Sequence, residues 1–95
     1  MPHNKIITGI DVGTDKCVTL IASVNDENDL QVVGVSVVPS RGMRKSQIID
    51  LEKVLETITA SLDGAERMAA LEVKSAYVSV CGATVKSPNS TGAVA

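Results

Sequence analysis

Three consecutive apolar segments joined by very short connections constrain this chain more than any other feature of its sequence. They are Lys5–Val12, residues 17–24 and residues 30–38, each rich in the β-branched side chains that suit a pleated surface. A parallel crossover needs roughly a dozen residues or more. The connections here, residues 13–16 and 25–29, are four and five residues long and polar. The three segments are therefore expected to pair as an antiparallel meander.

The period then changes. Residues 39–47 contain Pro39, Ser40 and Gly42 with the cations Arg41, Arg44 and Lys45, and are expected to form an exposed loop. A solvated connection is the simpler reading of those charges, with a protein contact as the alternative. Beyond the loop, Leu51, Val54, Leu55, Ile58, Leu62, Ala65 and Ala69 recur at helical spacing and, at about 100° per residue, fall in one arc. This predicts a helix across residues 50–70 with one buried face and Asp50 as its N-cap or first-turn anion. Gly64, which costs about 1 kcal/mol relative to Ala in a helix, marks a place where the helix is expected to bend or end.

Residues 75–81 alternate Ala76, Val78 and Val80 against Tyr77, Ser79 and Cys81, which predicts a fourth strand. The intervening helix lets that strand run parallel to the first. The expected class is α/β and the expected order is βββαβ. After Gly82 the sequence offers a short extended piece at residues 83–86, followed by Ser87-Pro88-Asn89-Ser90.

Composition removes several functional classes. Hydrophobic residues make up 44% and charged residues 21%, which suits one small globular domain rather than a disordered chain. Tyr77 is the only aromatic, and the net charge is −2. A nucleic-acid partner is not expected, because phosphate neutralisation needs clustered cations and base stacking needs aromatic platforms. No run approaches the roughly 18 apolar residues of a spanning helix, and only Ile6 and Ile7 follow the polar leader before Thr8 and Gly9, so no signal peptide is read. Cys17 and Cys81 form no CxxC pair and are read as free, unreactive thiols of a reducing cytoplasm. His3, without a second ligand, is read as surface.

The residues with chemical potential are Gly9-Ile10-Asp11-Val12-Gly13-Thr14-Asp15-Lys16. Gly13 lets the backbone approach a phosphate and adopt dihedrals closed to other residues. Thr14 supplies a hydroxyl, Lys16 a positive charge, and Asp11 an acceptor for the water around a hard cation such as Mg²⁺. Asp15 fits a phosphate less well unless it points away or reaches the metal. The plain alternative is an ordinary hairpin turn, since Asp, Gly and Thr populate tight turns for local reasons. The segment is neither GxGxxG nor GxxxxGK[ST]. No catalytic residue is assigned.

Further strings accompany the hairpin: Val32-Val33-Gly34-Val35, Pro39-Ser40-Arg41-Gly42-Met43-Arg44-Lys45, Ile48-Ile49-Asp50-Leu51-Glu52, Ala65-Glu66-Arg67-Met68-Ala69, and Tyr77-Val78-Ser79-Val80 before Gly82. An acidic-Gly-Thr hairpin in a βββαβ unit is the arrangement of the actin, sugar-kinase and Hsp70 superfamily. Within it, these strings together resemble the FtsA family of bacterial cell-division proteins over nearly the whole chain. Asp15 and Ser46 depart from that family's usual pattern.

The resemblance implies an incomplete actin-like (ribonuclease-H-like) half-domain. Residues 1–81 would be its N-terminal subdomain with the phosphate-loop hairpin at 11–16, and residues 82–95 the start of an inserted subdomain. It implies ATP with Mg²⁺ as cofactors, hydrolysed weakly at most, with Gly13, Thr14, Asp15 and Lys16 at the phosphates and Asp11 meeting Mg²⁺ through water. It implies self-association into filaments, the tubulin-like FtsZ and other division proteins as partners, and a peripheral place on the inner face of the cytoplasmic membrane at the division site, through a C-terminal helix lying outside these residues. The second phosphate loop and the adenosine-binding segment would also lie outside them, so the sequence is expected to be a fragment whose sheet edge and apolar surface are left uncovered. A fragment of a sugar-kinase or exopolyphosphatase-like phosphoryl-transfer enzyme is the alternative, with a carboxylate acting as base.

Overall fold

The computed structural model describes residues 5–45, 47–81 and 83–87, the last five by their backbone. Short connections produce the expected meander. Strands β1 (Lys5–Val12), β2 (Lys16–Val24) and β3 (Leu30–Pro39) pair antiparallel, with Val12 opposite Cys17 and Lys16 opposite Pro39. The β2–β3 turn is held by Asn25, whose Oδ1 accepts from the Glu27 and Asp29 amides at 2.9 Å each. Such side-chain mimicry of a backbone turn is what Asn does well.

The segment expected as a plain loop contains a small hairpin, β4 (Met43–Arg44) with β5 (Gln47–Ile48). Gly42 precedes it at φ +78°, and its carbonyl accepts from the Ile49 amide at 2.8 Å and the Asp50 amide at 3.2 Å. A Cβ at Gly42 would run into the Asp50 carbonyl. Helix α1 (Leu51–Ala69) follows, with the Asp50 side chain accepting from the Lys53 amide as N-cap. The helix ends at Ala70, which takes the left-handed conformation, and Glu66 ties down the exit: its carboxylate accepts from the Val73 amide at 2.7 Å.

Strand β6 (Ala76–Val80) runs parallel to β1, as a strand after an intervening helix can. The extended piece after it is β7 (Ala83–Ser87), antiparallel to β6, and the sheet order among the described residues is β3-β2-β1-β6-β7. Among the described residues the architecture is α/β, a mixed sheet with one helix, compatible with an incomplete actin-like half-domain.

Two expectations about α1 are corrected. Gly64 does not end the helix, which runs on to Ala69; it marks a close approach instead. A Cβ there would lie 2.5 Å from Ser36 Oγ on β3, and a Cβ at Gly34 of β3 would meet the Ala65 carbonyl, so bare backbone on both sides lets the helix sit tightly on the strand. The buried stripe is also shifted. Leu51 is exposed and Leu55 half-buried, while Thr57 and Ser61 are buried beside Val54, Ile58, Leu62 and Ala65. Ser61 earns its position through a 2.7 Å hydrogen bond to Thr19 of β2, because a buried hydroxyl without a partner is costly.

Candidate functional site

Strands β1 and β6 end at the same edge, with Val12 beside Val80. In open α/β sheets the carboxyl ends of parallel strands are where ligands collect. The turn of residues 13–16 lies there because Val12 and Cys17 form the last pair of the β1–β2 ladder. The turn is closed by the Gly13 amide donating to the Lys16 carbonyl at 2.8 Å.

That bond corrects the reason given for Gly13. Gly42 is the one glycine with positive φ among the described residues, so Gly13 does not occupy a left-handed conformation. What limits position 13 is space: a Cβ would sit 3.2 Å from the Lys16 carbonyl. The Gly13 amide, committed to that carbonyl, is also not a donor aimed at an anion.

Asp11, Asp15 and Lys16 are exposed and Thr14 is half-buried. Strand alternation sends Val12 and Cys17 into the core, so Asp11 and Lys16 fall on the opposite face from α1. The hairpin thus brings a carboxylate and an ammonium to one face at the carboxyl edge, with Thr14 and Asp15 at the tip. The donor set fits a hydrated cation that arrives with its phosphate. No group of three or more His, Cys, Asp or Glu side chains able to hold a metal occurs among the described residues.

The structure adds residues that the sequence reading missed. The Ser40 amide donates to the Asp15 carbonyl at 2.9 Å, which sets the start of the basic segment against the hairpin. The next amide, Arg41, donates to Thr57 Oγ1 at 3.1 Å. Thr57 was detectable in principle, as a polar residue inside the apolar arc of α1. On the other flank, the Cys81 amide donates to the Val12 carbonyl at 3.0 Å.

Both cysteines are free. Burial pushes the Cys17 thiol above its ordinary value, a hydrogen bond with Ser61 opposes this, and the Asp11 charge reinforces it. A buried thiol kept protonated is inert, in line with the reading of Cys17 as a small hydrophobe.

No family model matches the chain. Among curated proteins, it is 38% identical over 91 residues to the cell division protein FtsA of Pseudomonas aeruginosa, covering 96% of this chain and 22% of that protein. It is 40% identical over 90 residues to FtsA of Borreliella burgdorferi, covering 95% and 22%, and 30% identical over 95 residues to FtsA of Bacillus subtilis, covering 100% and 21%. The chain therefore spans about a fifth of the length of the curated relatives it matches. The resemblance read from the sequence strings is borne out: over nearly its whole length this chain is FtsA-like, consistent with an N-terminal portion of those proteins.

Proposed function

We propose that this chain forms the phosphate-hairpin part of an actin-like cell-division protein that binds ATP with Mg²⁺. The observation that carries the reading is the position of residues 11–16 of an FtsA-like sequence at the carboxyl edge of the parallel β1–β6 pair. In this reading Gly13 keeps the turn tight enough for a phosphate to approach. Thr14 and Lys16 contribute hydrogen bonding and charge, Asp15 stands at the tip of the same turn, and Asp11 orients water on the metal. Mg²⁺ neutralises phosphate charge when bound.

The wider role follows the resemblance. A family-length protein would self-associate into filaments, meet FtsZ and other division proteins, and attach peripherally to the cytoplasmic membrane at the division site. The sugar-kinase or exopolyphosphatase reading is not favoured, since the relatives named above are all described as cell-division proteins.

Calorimetric titration of a family-length protein carrying this segment with Mg-ATP tests the proposal. Gly13→Val should abolish binding, because its branched side chain meets the Lys16 carbonyl and fills the approach to the turn. Lys16→Ala should weaken binding less, since one lost charge is partly compensated by Mg²⁺ and the remaining donors. The 95-residue chain alone should bind negligibly, having few of the contacts that offset the ligand's lost freedom. A Gly13→Val protein that is folded by circular dichroism and keeps parental affinity reduces the hairpin to a turn and overturns the reading.

A further inference from the structure

We propose that Thr57 of helix α1 is a positioning residue for the phosphate hairpin, acting through the backbone of Arg41 and Ser40; the inference rests on the phosphate reading of residues 11–16.

Thr57 is only 4% exposed, on a helix face it shares with Val54, Ile58, Ser61, Leu62 and Ala65. A hydroxyl in that setting needs partners. Its Oγ1 donates to the Lys53 carbonyl at 2.9 Å, the local back-bond open to any Ser or Thr within a helix. The second bond is tertiary: Oγ1 accepts from the Arg41 amide at 3.1 Å. That contact immobilises the chain just where it leaves β3.

One residue earlier, the Ser40 amide reaches the Asp15 carbonyl at 2.9 Å. Between the Ser40 and Arg41 amide planes lie only the two soft torsions of Ser40, φ and ψ, so holding one amide restricts the other. Pro39, opposite Lys16 in the ladder, has no amide to donate. The Ser40 amide is therefore the donor by which this end of β3 grips the turn. Ser40 Oγ is buried with no hydrogen-bond partner among the described residues, and the contact to the hairpin is made by its backbone amide.

The gripped carbonyl matters for the site. The Asp15 carbonyl and the Lys16 amide belong to one planar trans peptide and point in opposite directions. Fixing the carbonyl fixes the direction of the Lys16 amide and, through it, the residue whose own carbonyl closes the turn with Gly13. Thr57 thus connects the helix to the hairpin tip through two hydrogen bonds. Gly42 anchors the far side of the same segment to the start of α1.

The test compares Thr57→Val, which keeps the shape and deletes the acceptor, with Thr57→Ser, which keeps the hydroxyl. In the 95-residue chain, amide hydrogen exchange at Arg41 and Ser40 should accelerate about fivefold to tenfold in Thr57→Val, with the Ile21 amide in the sheet core unchanged, and should return to the parental rate in Thr57→Ser. In a family-length protein, Mg-ATP affinity should fall by a similar factor in Thr57→Val and recover in Thr57→Ser. If Thr57→Val does not fold, Ser40→Pro deletes the donor at the other end of the path and should lower affinity in the same way.

Unchanged affinity in folded Thr57→Val or Ser40→Pro overturns the proposal. So does failure of Thr57→Ser to restore affinity, since that outcome assigns Thr57 to packing alone. Gly13→Val separates the two readings. If it abolishes binding while Thr57→Val leaves it intact, only the positioning role falls; if Gly13→Val also binds normally, the phosphate reading falls with it.

Discussion

The two faces of the sheet are written in the same residues and are treated oppositely. On the face toward α1, Ile10, Val12, Cys17, Ile21 and Val78 are buried, and Val54, Ile58, Leu62 and Ala65 of the helix pack among them. On the other face, Leu20 lies opposite Val35, Val18 opposite Val37, and Gly9 beside Tyr77. There Leu20 is 41% exposed, Val37 57% and Tyr77 47%. Residue type does not distinguish the faces; the helix does. Strands apolar on both sides are characteristic of sheets covered on both sides, and among the described residues one cover is present.

The largest test of this contrast is a pair of neighbours on β2. Ile21→Ala should lower stability by about 2–5 kcal/mol, through lost transfer energy and the cavity left under α1. Leu20→Ala, one residue away on the open face, should cost under about 1 kcal/mol, because much of its side chain is already in water. Denaturant midpoints at constant slope measure both. Equal losses would break the distinction between the faces.

A smaller effect is expected from Gly34→Ala. Its added methyl meets the Ala65 carbonyl, and a helix backbone cannot step aside as a side chain can, so about 1–3 kcal/mol should be lost with α1 pushed off β3. A neutral result in thermal unfolding would mean that the helix does not ride on bare backbone.

The inner face should also show itself in the alkaline limb of stability, by a smaller amount. The Cys17 thiol is raised above its ordinary value of 9.0, chiefly by burial. Below that pH both folded and unfolded thiols are protonated and the full contribution is present. As pH rises past it, the unfolded thiol ionises first, and stability is lost progressively up to the folded value. Cys17→Ala should flatten that slope, read as the change in denaturant midpoint with pH. A slope unaltered by the substitution would show that position 17 is open to water.

The smallest expected effect sharpens the comparison from the open side. A Cβ at Gly9 meets nothing within 4 Å, so Gly9→Ala should change stability by no more than about 0.5 kcal/mol. A loss comparable to that of Gly34→Ala would mean that something covers the outer face.

Much of the fold was legible for one reason: short connections leave few topologies. Residues 13–16 and 25–29 permit only hairpins, and the spacing from Val54 to Ala65 permits only a helix. The small β4–β5 hairpin was hidden because two-residue strands show no periodicity. Gly64 was misread because propensity weighs a glycine against its own helix, whereas here it answers to Ser36 on another element. Leu51 was misjudged and Thr57 passed over on polarity alone, since the first turn of α1 leaves Leu51 exposed while Thr57 is buried and accepts from the Arg41 amide.

The candidate site divides along the same line. Asp11, Gly13, Thr14, Asp15 and Lys16 are contiguous in the chain, so their shared chemistry was visible as a string. Ser40 and Thr57 join them only through hydrogen bonds between segments remote in sequence, which no local pattern records. The sequence alone determined the strand pairing, the helix and the likeness to FtsA, because period and connection length act within a few residues. Which sheet face is buried, how closely α1 approaches β3, and what holds the hairpin turn were decided by tertiary contact. A strand's two-residue period describes two equivalent faces, and only a second element packing against one of them makes them different.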